Sequence, residues 1–415
     1  MEFDRSRREG VRTSEVSSPL DGAALDALLS TEGQALLAEL ADIPPSSGGE
    51  IALITRLRKR HAPALVAAAI ETTDLRRRAQ SKFSNAAAMY FTRAGLEQAS
   101  SERMGRHHAT RYRAFDRMAD LCCGIGGDLI GLASDREVLG VDIDPVHLRM
   151  AALNAEANGV GQRVSTMCSD VRDADLGDVR AAFVDPARRS GDKRFSTGAS
   201  EPPLSWCFSL AEKGIAVGAK AAPGLPMSLA PEGWELEFVS ERRELKECVL
   251  WSPALATSAR RATILPERHT LTERADAELE VREPGRFLMD PDGAVTRAGL
   301  VKELGMAIGD CWQIDDQVAF LTSDRAFETP FARTLEIAAS DAWGLARLNQ
   351  SLRALDVGSV DIRKRGSAVD VDDLHRRLKL SGSRGATVVL TRMRDKPWMF
   401  VCFPPNPAGV GEAGI

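Results

Sequence analysis

Asp120-Leu-Cys-Cys-Gly-Ile-Gly-Gly-Asp128 and its sequel Val138-Leu-Gly-Val-Asp142 decide how this chain folds. Phe115 to Leu121 supplies the strand that leads into the first motif, with Asp116 and Arg117 at its start. Gly124, Gly126 and Gly127 let the backbone turn sharply and approach a ligand with no Cβ in the way. Leu129, Ile130, Leu132 and Ala133 then follow at helical spacing. The second piece is a short apolar run ending in an acid, which suits a buried parallel strand with a carboxylate at its tip. Ligands of open α/β sheets sit outside the carboxyl ends of the strands, where the glycine turn and Asp142 would meet one together.

Strand and helix continue to alternate downstream. Asp144-Pro145 reads as an N-cap with proline at the first helical position, and Asn158-Gly159 as the stop of that helix. Strands are expected at Arg163 to Cys168, Val179 to Val184 and Ile215 to Lys220, with a helix at Leu204 to Glu212. Trp234 to Val239 and Leu245 to Trp251 flank a short charged turn and read as an antiparallel hairpin closing the sheet. The sum is a doubly wound α/β domain with an antiparallel edge.

Upstream, no alternating β pattern precedes residue 110. Helices are expected at Ala23 to Leu40, Glu50 to Arg60, Ala62 to Gln80 and Gly95 to Met104, with a break over Ile43 to Gly49. Residues 1–22 are charged, Ser-rich and aperiodic, which reads as disorder. Beyond Leu271, turns are expected at Arg282 to Arg286 and Asp290 to Gly293. Helices follow at Ala298 to Ile308 and Asp341 to Leu355, with a short strand at Val318 to Leu321 between them. The tail reads as strand (Ser359 to Ile362), helix (Val371 to Leu380) and two strands (Ala386 to Thr391, Trp398 to Cys402), a small α+β domain. The predicted domains are therefore a tail (1–22), a helical N-terminal domain (23–112), the α/β domain (113–270) and the α+β domain (271–415).

The 415 residues are 44% hydrophobic and 27% charged, a globular composition. No apolar run approaches the roughly 20 residues of a membrane helix. The N-terminus lacks an apolar stretch, so a cytoplasmic chain is expected, with no membrane partner. Seven cysteines include no C-x-x-C pair and six histidines no H-E-x-x-H pattern, so neither a disulfide framework nor a metal is expected. The net charge of −5 disfavours a protein that coats nucleic acid. Residues 51–118 nevertheless carry fourteen Lys and Arg against five acids, and a second basic excess lies between Val360 and Lys396. Each patch reads either as a polyanion site or as a solvated helix face.

A glycine turn with an acid at the next strand tip serves both dinucleotides and S-adenosylmethionine. Asp120, just before the glycines, would repel a pyrophosphate and attract a sulfonium. Asp170, at the following strand tip, could accept a hydrogen bond from an adenine amine. Asp185 ends the next strand in Val184-Asp-Pro-Ala-Arg-Arg189. Capping of a following helix is the other reading of each acid.

Asp120–Asp128, Val141-Asp-Ile-Asp-Pro145 and Asn154-Ala-Glu-Ala-Asn-Gly159 together resemble a class I S-adenosylmethionine-dependent methyltransferase, with the nearest likeness to RNA-modifying members such as the trimethylguanosine synthases. Gly299-Leu-Val301, Ala319-Phe-Leu-Thr-Ser-Asp324 and Arg363-Lys-Arg-Gly366 are similar to the THUMP-like domain found behind such a methyltransferase. The resemblance covers roughly residues 80 to 402. It implies that Asp120, Gly124 and Gly126 hold the methionine end of the donor, with Cys122 also in the donor site. Asp142 and Ile143 would meet the ribose side, and Asp170 the adenine. Asp185, Pro186 and Arg188 stand where the family's D/N-P-P-Y/W/R motif holds the target amine. Ala187 replaces the second proline and Arg188 the stacking aromatic residue, so Arg188 or Arg189 would reach a phosphate or stack by guanidinium. Arg106, His108 and Arg111 would line the substrate entrance, or form a plain helix surface. A D-P-P-R motif also occurs in uracil-C5 methyltransferases, which need a catalytic cysteine; Cys248, among apolar neighbours, reads instead as a buried thiol. The implied activity is methyl transfer to a base nitrogen in RNA. A small-molecule or protein substrate, and a non-catalytic RNA- or donor-binding module, remain as alternatives.

Overall fold

The computed structural model describes residues 20–43, 50–187, 189–190, 193–194, 200–406 and 410–412. Residues 1–19 of the stretch expected to be disordered and most of the Ile43 to Gly49 break lie outside them, while Leu20 is buried, Asp21 caps the first helix and Gly22 opens it. The chain divides into two compact units, Met1–Asp178 and Val179–Ile415.

The first unit begins with helices α1 (Gly22–Leu29), α2 (Thr31–Ala41), α3 (Glu50–Leu57), α4 (Pro63–Ala79), α5 (Arg93–Gln98) and α6 (Glu102–Ala109). Two expected helices are each divided by a serine. Ser30 is extended and its hydroxyl accepts from the Gly33 amide at 3.1 Å, so it caps α2. Ser101 caps α6 through the Met104 amide at 3.3 Å. Serine satisfies helix N-terminal amides better than it continues a helix, which is why both breaks fall there. A Cβ at Gly33 would lie 2.2 Å from the Ala27 carbonyl oxygen, so the α1–α2 corner requires glycine.

Strands β1 (Arg117–Leu121), β2 (Glu137–Asp142) and β3 (Val164–Cys168) then alternate with helices α7 (Gly127–Leu132) and α8 (Pro145–Ala157). The three strands are parallel, with Asp120 opposite Gly140 and Asp142 opposite Cys168. Asp144 caps α8 by accepting from the Val146 and His147 amides, and Pro145 follows it as expected. Leu25, Leu36, Val66, Phe91, Ile125, Ile130 and Met150 share one buried core. The helical segment therefore packs on the residues around the glycine turn. Burial at about 25 cal/mol per Å² of apolar surface makes that shared core the main force holding the turn in place.

The second unit carries β4 (Ala181–Val184), the short pair β5 (Arg189–Ser190) and β6 (Lys193–Arg194), and helix α9 (Leu204–Glu212). Strands β7 (Ala216–Ala221), β8 (Glu235–Glu241), β9 (Glu244–Trp251), β10 (Arg260–Leu265) and β11 (His269–Thr272) follow. Their order is β11-β10-β8-β9-β7-β4. The β8–β9 hairpin forms as expected, yet it does not close the sheet: β10 pairs parallel with β8, and β11 antiparallel with β10. The reason lies in buried polar pairs. Arg261 Nε donates to Glu235 Oε1 at 2.7 Å, the Thr263 hydroxyl donates to Glu237, and Trp251 Nε1 donates to Glu237 Oε2 at 2.7 Å. Charged residues that look solvent-facing in sequence are thus answered from the neighbouring strand, as buried charges must be.

Beyond them stand β12 (Phe287–Pro291), α10 (Gly293–Ala298), α11 (Val301–Ile308), β13 (Trp312–Gln313), β14 (Leu321–Ser323), β15 (Ala326–Glu328), β16 (Ala332–Ala342), α12 (Leu345–Ala354), β17 (Val357–Lys364), α13 (Val371–Arg377), β18 (Arg384–Met393) and β19 (Lys396–Phe403). Seven of these strands build a second sheet of order β13-β14-β12-β16-β19-β18-β17, while β15 pairs with the short segment Val410–Glu412. The turn expected at Asp290 to Gly293 is the end of β12 followed by Asp292 capping α10. The helix expected over Ala298 to Ile308 is α11, which starts at Val301; Ala298 ends α10, and left-handed Gly299 parts the two. The start of the helix expected at Asp341 is the end of β16. Among the described residues no helix is long and apolar enough to cross a membrane.

Candidate active site

The first unit gathers one set of expected site residues. Asp120 lies fully within β1, 1% exposed. Cys122 follows at φ +63, a conformation non-glycine residues adopt rarely. Among the described residues no atom lies within 4 Å of where a Cβ at Gly124 (φ +52) would stand, so its outer face is open to them. Gly126 (φ +89) packs the other way: a Cβ there would come within 3.2 Å of the Ala151 backbone. The turn is thus closed on the α8 side and open on the other.

Asp142 ties this turn to β2. Its Oδ2 accepts the Gly124 amide at 2.7 Å and its Oδ1 the Asp144 amide at 2.9 Å. Each carboxylate oxygen has a second lone pair, which suits a pair of ribose hydroxyls. Ile143 is 69% exposed, one of few large apolar side chains turned outward, and offers an apolar face beside that carboxylate. Burial, then the Asp120 and Asp142 carboxylates, push the Cys123 thiol well up. The Asp120 and Asp142 carboxylates both lie at the turn, and their charge favours a cationic ligand group there. A glycine loop with an open face, a pre-oriented diol acceptor and an apolar neighbour fits S-adenosylmethionine.

Asp170 departs from the simplest expectation. Arg172 grips it at both oxygens, Nε to Oδ1 at 2.9 Å and a terminal nitrogen to Oδ2 at 2.6 Å, and the Arg172 amide also donates to Oδ1. These hydrogen bonds hold its carboxyl down at about 2. An adenine amine at Asp170 would share the carboxylate with that guanidinium.

Asn154 is marked in the sequence only as the start of a family motif, with no role of its own. It is buried in α8, donates to the carbonyls of Tyr90 at 3.0 Å and Ile125 at 2.9 Å, and accepts from the Tyr90 amide at 2.7 Å. It fastens the glycine turn to the chain entering α5. An Asn inside an otherwise apolar helix face is the signal that could have found it.

Arg106 and His108, both in the last turn of α6, separate in the structure. Arg106 is exposed and pairs with Glu102. His108 is 0% exposed and its Nδ1 lies 2.8 Å from Asp128 Oδ1, while Ser100 donates to Asp128 Oδ2 at 2.7 Å. His108 thus serves the packing of α6 against α7 rather than a surface. That packing is close: a Cβ at Gly131 would stand 2.3 Å from the Gly105 carbonyl carbon. Arg111 is half-buried in a single helical turn, Thr110–Tyr112.

The second unit holds Asp185, at the end of β4. Its Oδ2 accepts from Lys220 Nζ at 2.8 Å, and Lys220 Nζ also lies 3.7 Å from Glu247 Oε2. Lys220 and Glu247 are 5% and 4% exposed at the side chain, Asp185 26%. Neither partner was foreseen. A lysine inside the apolar run Ile215-Ala-Val-Gly-Ala-Lys220 was the available signal. Pro186 follows Asp185 and is buried. Arg188 lies outside the described residues, and Arg189 is described only as backbone of β5.

Cys248 is 0% exposed in β9. Burial, then the Glu247 and Glu237 carboxylates, push its thiol well up. A thiol so disfavoured as thiolate is no nucleophile. Cys248→Ala is expected to keep methyl transfer within about twofold of wild type; a loss of about 100-fold or more would revive cysteine chemistry.

A glycine turn leading from one parallel strand to an acid at the tip of the next, in an α/β fold, fits a class I methyltransferase. Comparison with known proteins agrees. Residues 115–255 match the RNA cap guanine-N2 methyltransferase family, residues 332–404 a THUMP domain-like family, and residues 21–79 a domain of unknown function (DUF8688). Uncharacterized S-adenosylmethionine-dependent methyltransferases from two Mycobacterium tuberculosis strains are 39% identical over 344 residues, covering 78% of this chain and 92% of theirs. The crystal structure of a candidate methyltransferase from Porphyromonas gingivalis W83 shares the fold, with TM-score 0.69 at 20% identity over 87% of this chain and 99% of that one. The chain belongs to the S-adenosylmethionine-dependent methyltransferases, and S-adenosylmethionine is its methyl donor.

Proposed function

We propose that this enzyme methylates a nitrogen of an RNA base, with Asp185 holding the target amine. The observation that carries the reading is Asp185 itself: a strand-tip carboxylate, anchored from behind by Lys220, inside a segment that matches a guanine-N2 methyltransferase family. The THUMP domain-like match supports RNA as the substrate.

When bound, S-adenosylmethionine supplies an electrophilic methyl group on a sulfonium. Asp120, Gly124, Gly126 and Asp142 would bind and orient it, with Ile143 and Asp170 toward its nucleoside. Asp185 would accept an N–H of the base amine and turn the nitrogen lone pair toward the methyl carbon. The nitrogen–carbon bond forms as the carbon–sulfur bond breaks, and the amine proton leaves to water. Holding two reactants in line is worth several orders of magnitude without any covalent step. Pro186, Arg188 and Arg189 would hold the base or a neighbouring phosphate, and Arg106 and Arg111 more distant substrate. His108 would act only by supporting α6.

A second reading keeps the chemistry and changes the substrate to a small molecule or a protein. The net charge of −5 favours it. So does the pairing of basic residues in the C-terminal patch: Arg376 and Arg377 lie beside Asp373, and Arg363 beside Asp361. The experiment is mass spectrometry of nucleosides from ribosomal and transfer RNA of a deletion strain. One methylated nucleoside should disappear and return with the restored gene. An unchanged profile in both RNA classes would shift the substrate to the second reading.

A further inference from the structure

We propose that Lys220 is a positioning residue for methyl transfer: clamped between Asp185 and Glu247, its buried ammonium sets the direction in which the Asp185 carboxylate faces the acceptor. This rests on the reading of Asp185 as the acceptor-holding group and adds to it two residues that sit behind the substrate.

The sheet register creates the trio. Val184 lies opposite Ala219 in the parallel β4–β7 pair, so Asp185 and Lys220 are the next residues along. Lys220 lies opposite Val249 in the antiparallel β7–β9 pair, and Glu247, two residues before Val249, points to the same face. Three charged side chains from three neighbouring strands therefore meet on one face. Lys220 Nζ is 2.8 Å from Asp185 and 3.7 Å from Glu247.

Burial makes this arrangement informative. An ammonium is costly to remove from water, and it stays charged in a protein interior only when paired. A lysine serving solubility or a surface ion pair would keep its head in water by extending its flexible stem. Lys220 instead ends inside the sheet, between two carboxylates. Glu247 is as buried as Lys220, while Asp185 is the exposed end of the trio. The three form a line from interior to surface, with the acceptor-holding carboxylate outermost. One ammonium between two carboxylates fixes the Asp185 rotamer through a charge-assisted bond, shorter and stronger than a neutral one. The residual negative charge of the trio belongs where a cationic amine develops during transfer.

The decisive variant is the pair Lys220→Met with Glu247→Gln. Lys220→Met alone leaves Glu247 buried and uncompensated, which destabilises the protein whatever its role. The double variant removes both charges and should restore the melting temperature to near wild type. Extract from the deletion strain supplies the acceptor, with tritiated S-adenosylmethionine as donor, and the labelled product is fractionated into RNA, protein and small molecules. The fraction carrying label tests the substrate class; the rate ratio between variant and wild type tests Lys220, whichever fraction is labelled. The expected result is a rate about 100-fold below wild type, with S-adenosylhomocysteine affinity within about threefold. A folded double variant that transfers methyl groups at the wild-type rate would overturn the proposal. So would loss of donor affinity in step with rate, because a merely structural defect moves both.

Discussion

Asp142→Ala is expected to weaken S-adenosylhomocysteine binding at least about 100-fold by calorimetry, with the protein still folded. Asp142 sits at the tip of β2 with each oxygen already fixed by one backbone amide, Gly124 at 2.7 Å and Asp144 at 2.9 Å. A ribose diol would add one hydrogen bond to each oxygen. Hydrogen bonds to a charged group contribute about 1.5–3 kcal/mol apiece, so two lost bonds cost about 3–6 kcal/mol. Each 1.4 kcal/mol is roughly a factor of ten in affinity. The alanine variant also releases the Gly124 amide, at a residue held in the left-handed region (φ +52), and loosens the turn. Asp142→Asn keeps one acceptor oxygen and should lose about tenfold. Affinity in Asp142→Ala within about threefold of wild type would show that the donor's ribose does not rest on this carboxylate.

The donor half of this prediction was legible in the sequence, and the acceptor half only partly. Asp120, the glycines and Asp142 are neighbours along the chain, and a short buried run with an acid at its end is a local pattern. Lys220 and Glu247 became visible only through the pairing of β4 with β7 and β7 with β9, which no local pattern encodes. The same cause hid β10, whose Arg261 and Thr263 are answered by Glu235 and Glu237 on β8. It also disguised β16: its sequence, Ala-Arg-Thr-Leu-Glu-Ile-Ala-Ala-Ser-Asp-Ala, has helical propensity, yet β12 and β19 flank it and pairing decides. His108 erred in the opposite direction. A basic run reads as a surface, and only the close approach of Gly105 to Gly131 reveals that the histidine is inside.

Asp185→Ala should lower the methyl-transfer rate by about 100- to 1,000-fold while leaving S-adenosylhomocysteine affinity nearly unchanged. The donor acids and Asp185 belong to different strand tips, and the proposed role of Asp185 is confined to the acceptor amine. Losing one preorganised polar contact at a reacting nitrogen costs roughly 3–4 kcal/mol in the transition state. Asp185→Asn separates two contributions. Its amide oxygen can still accept the amine N–H, so orientation by hydrogen bonding survives. Its side chain no longer carries the charge that answers Lys220, so the ammonium keeps at most a neutral hydrogen bond at this position. If hydrogen bonding orients the amine, Asn retains about a tenth of the rate; if the charge of the trio matters more, Asn falls nearly to Ala. Single-turnover rates at saturating donor distinguish the two, because they exclude product release. Equal rates for wild type and Asp185→Ala would remove Asp185 from the acceptor site and leave the buried trio a purely structural pair of strand contacts.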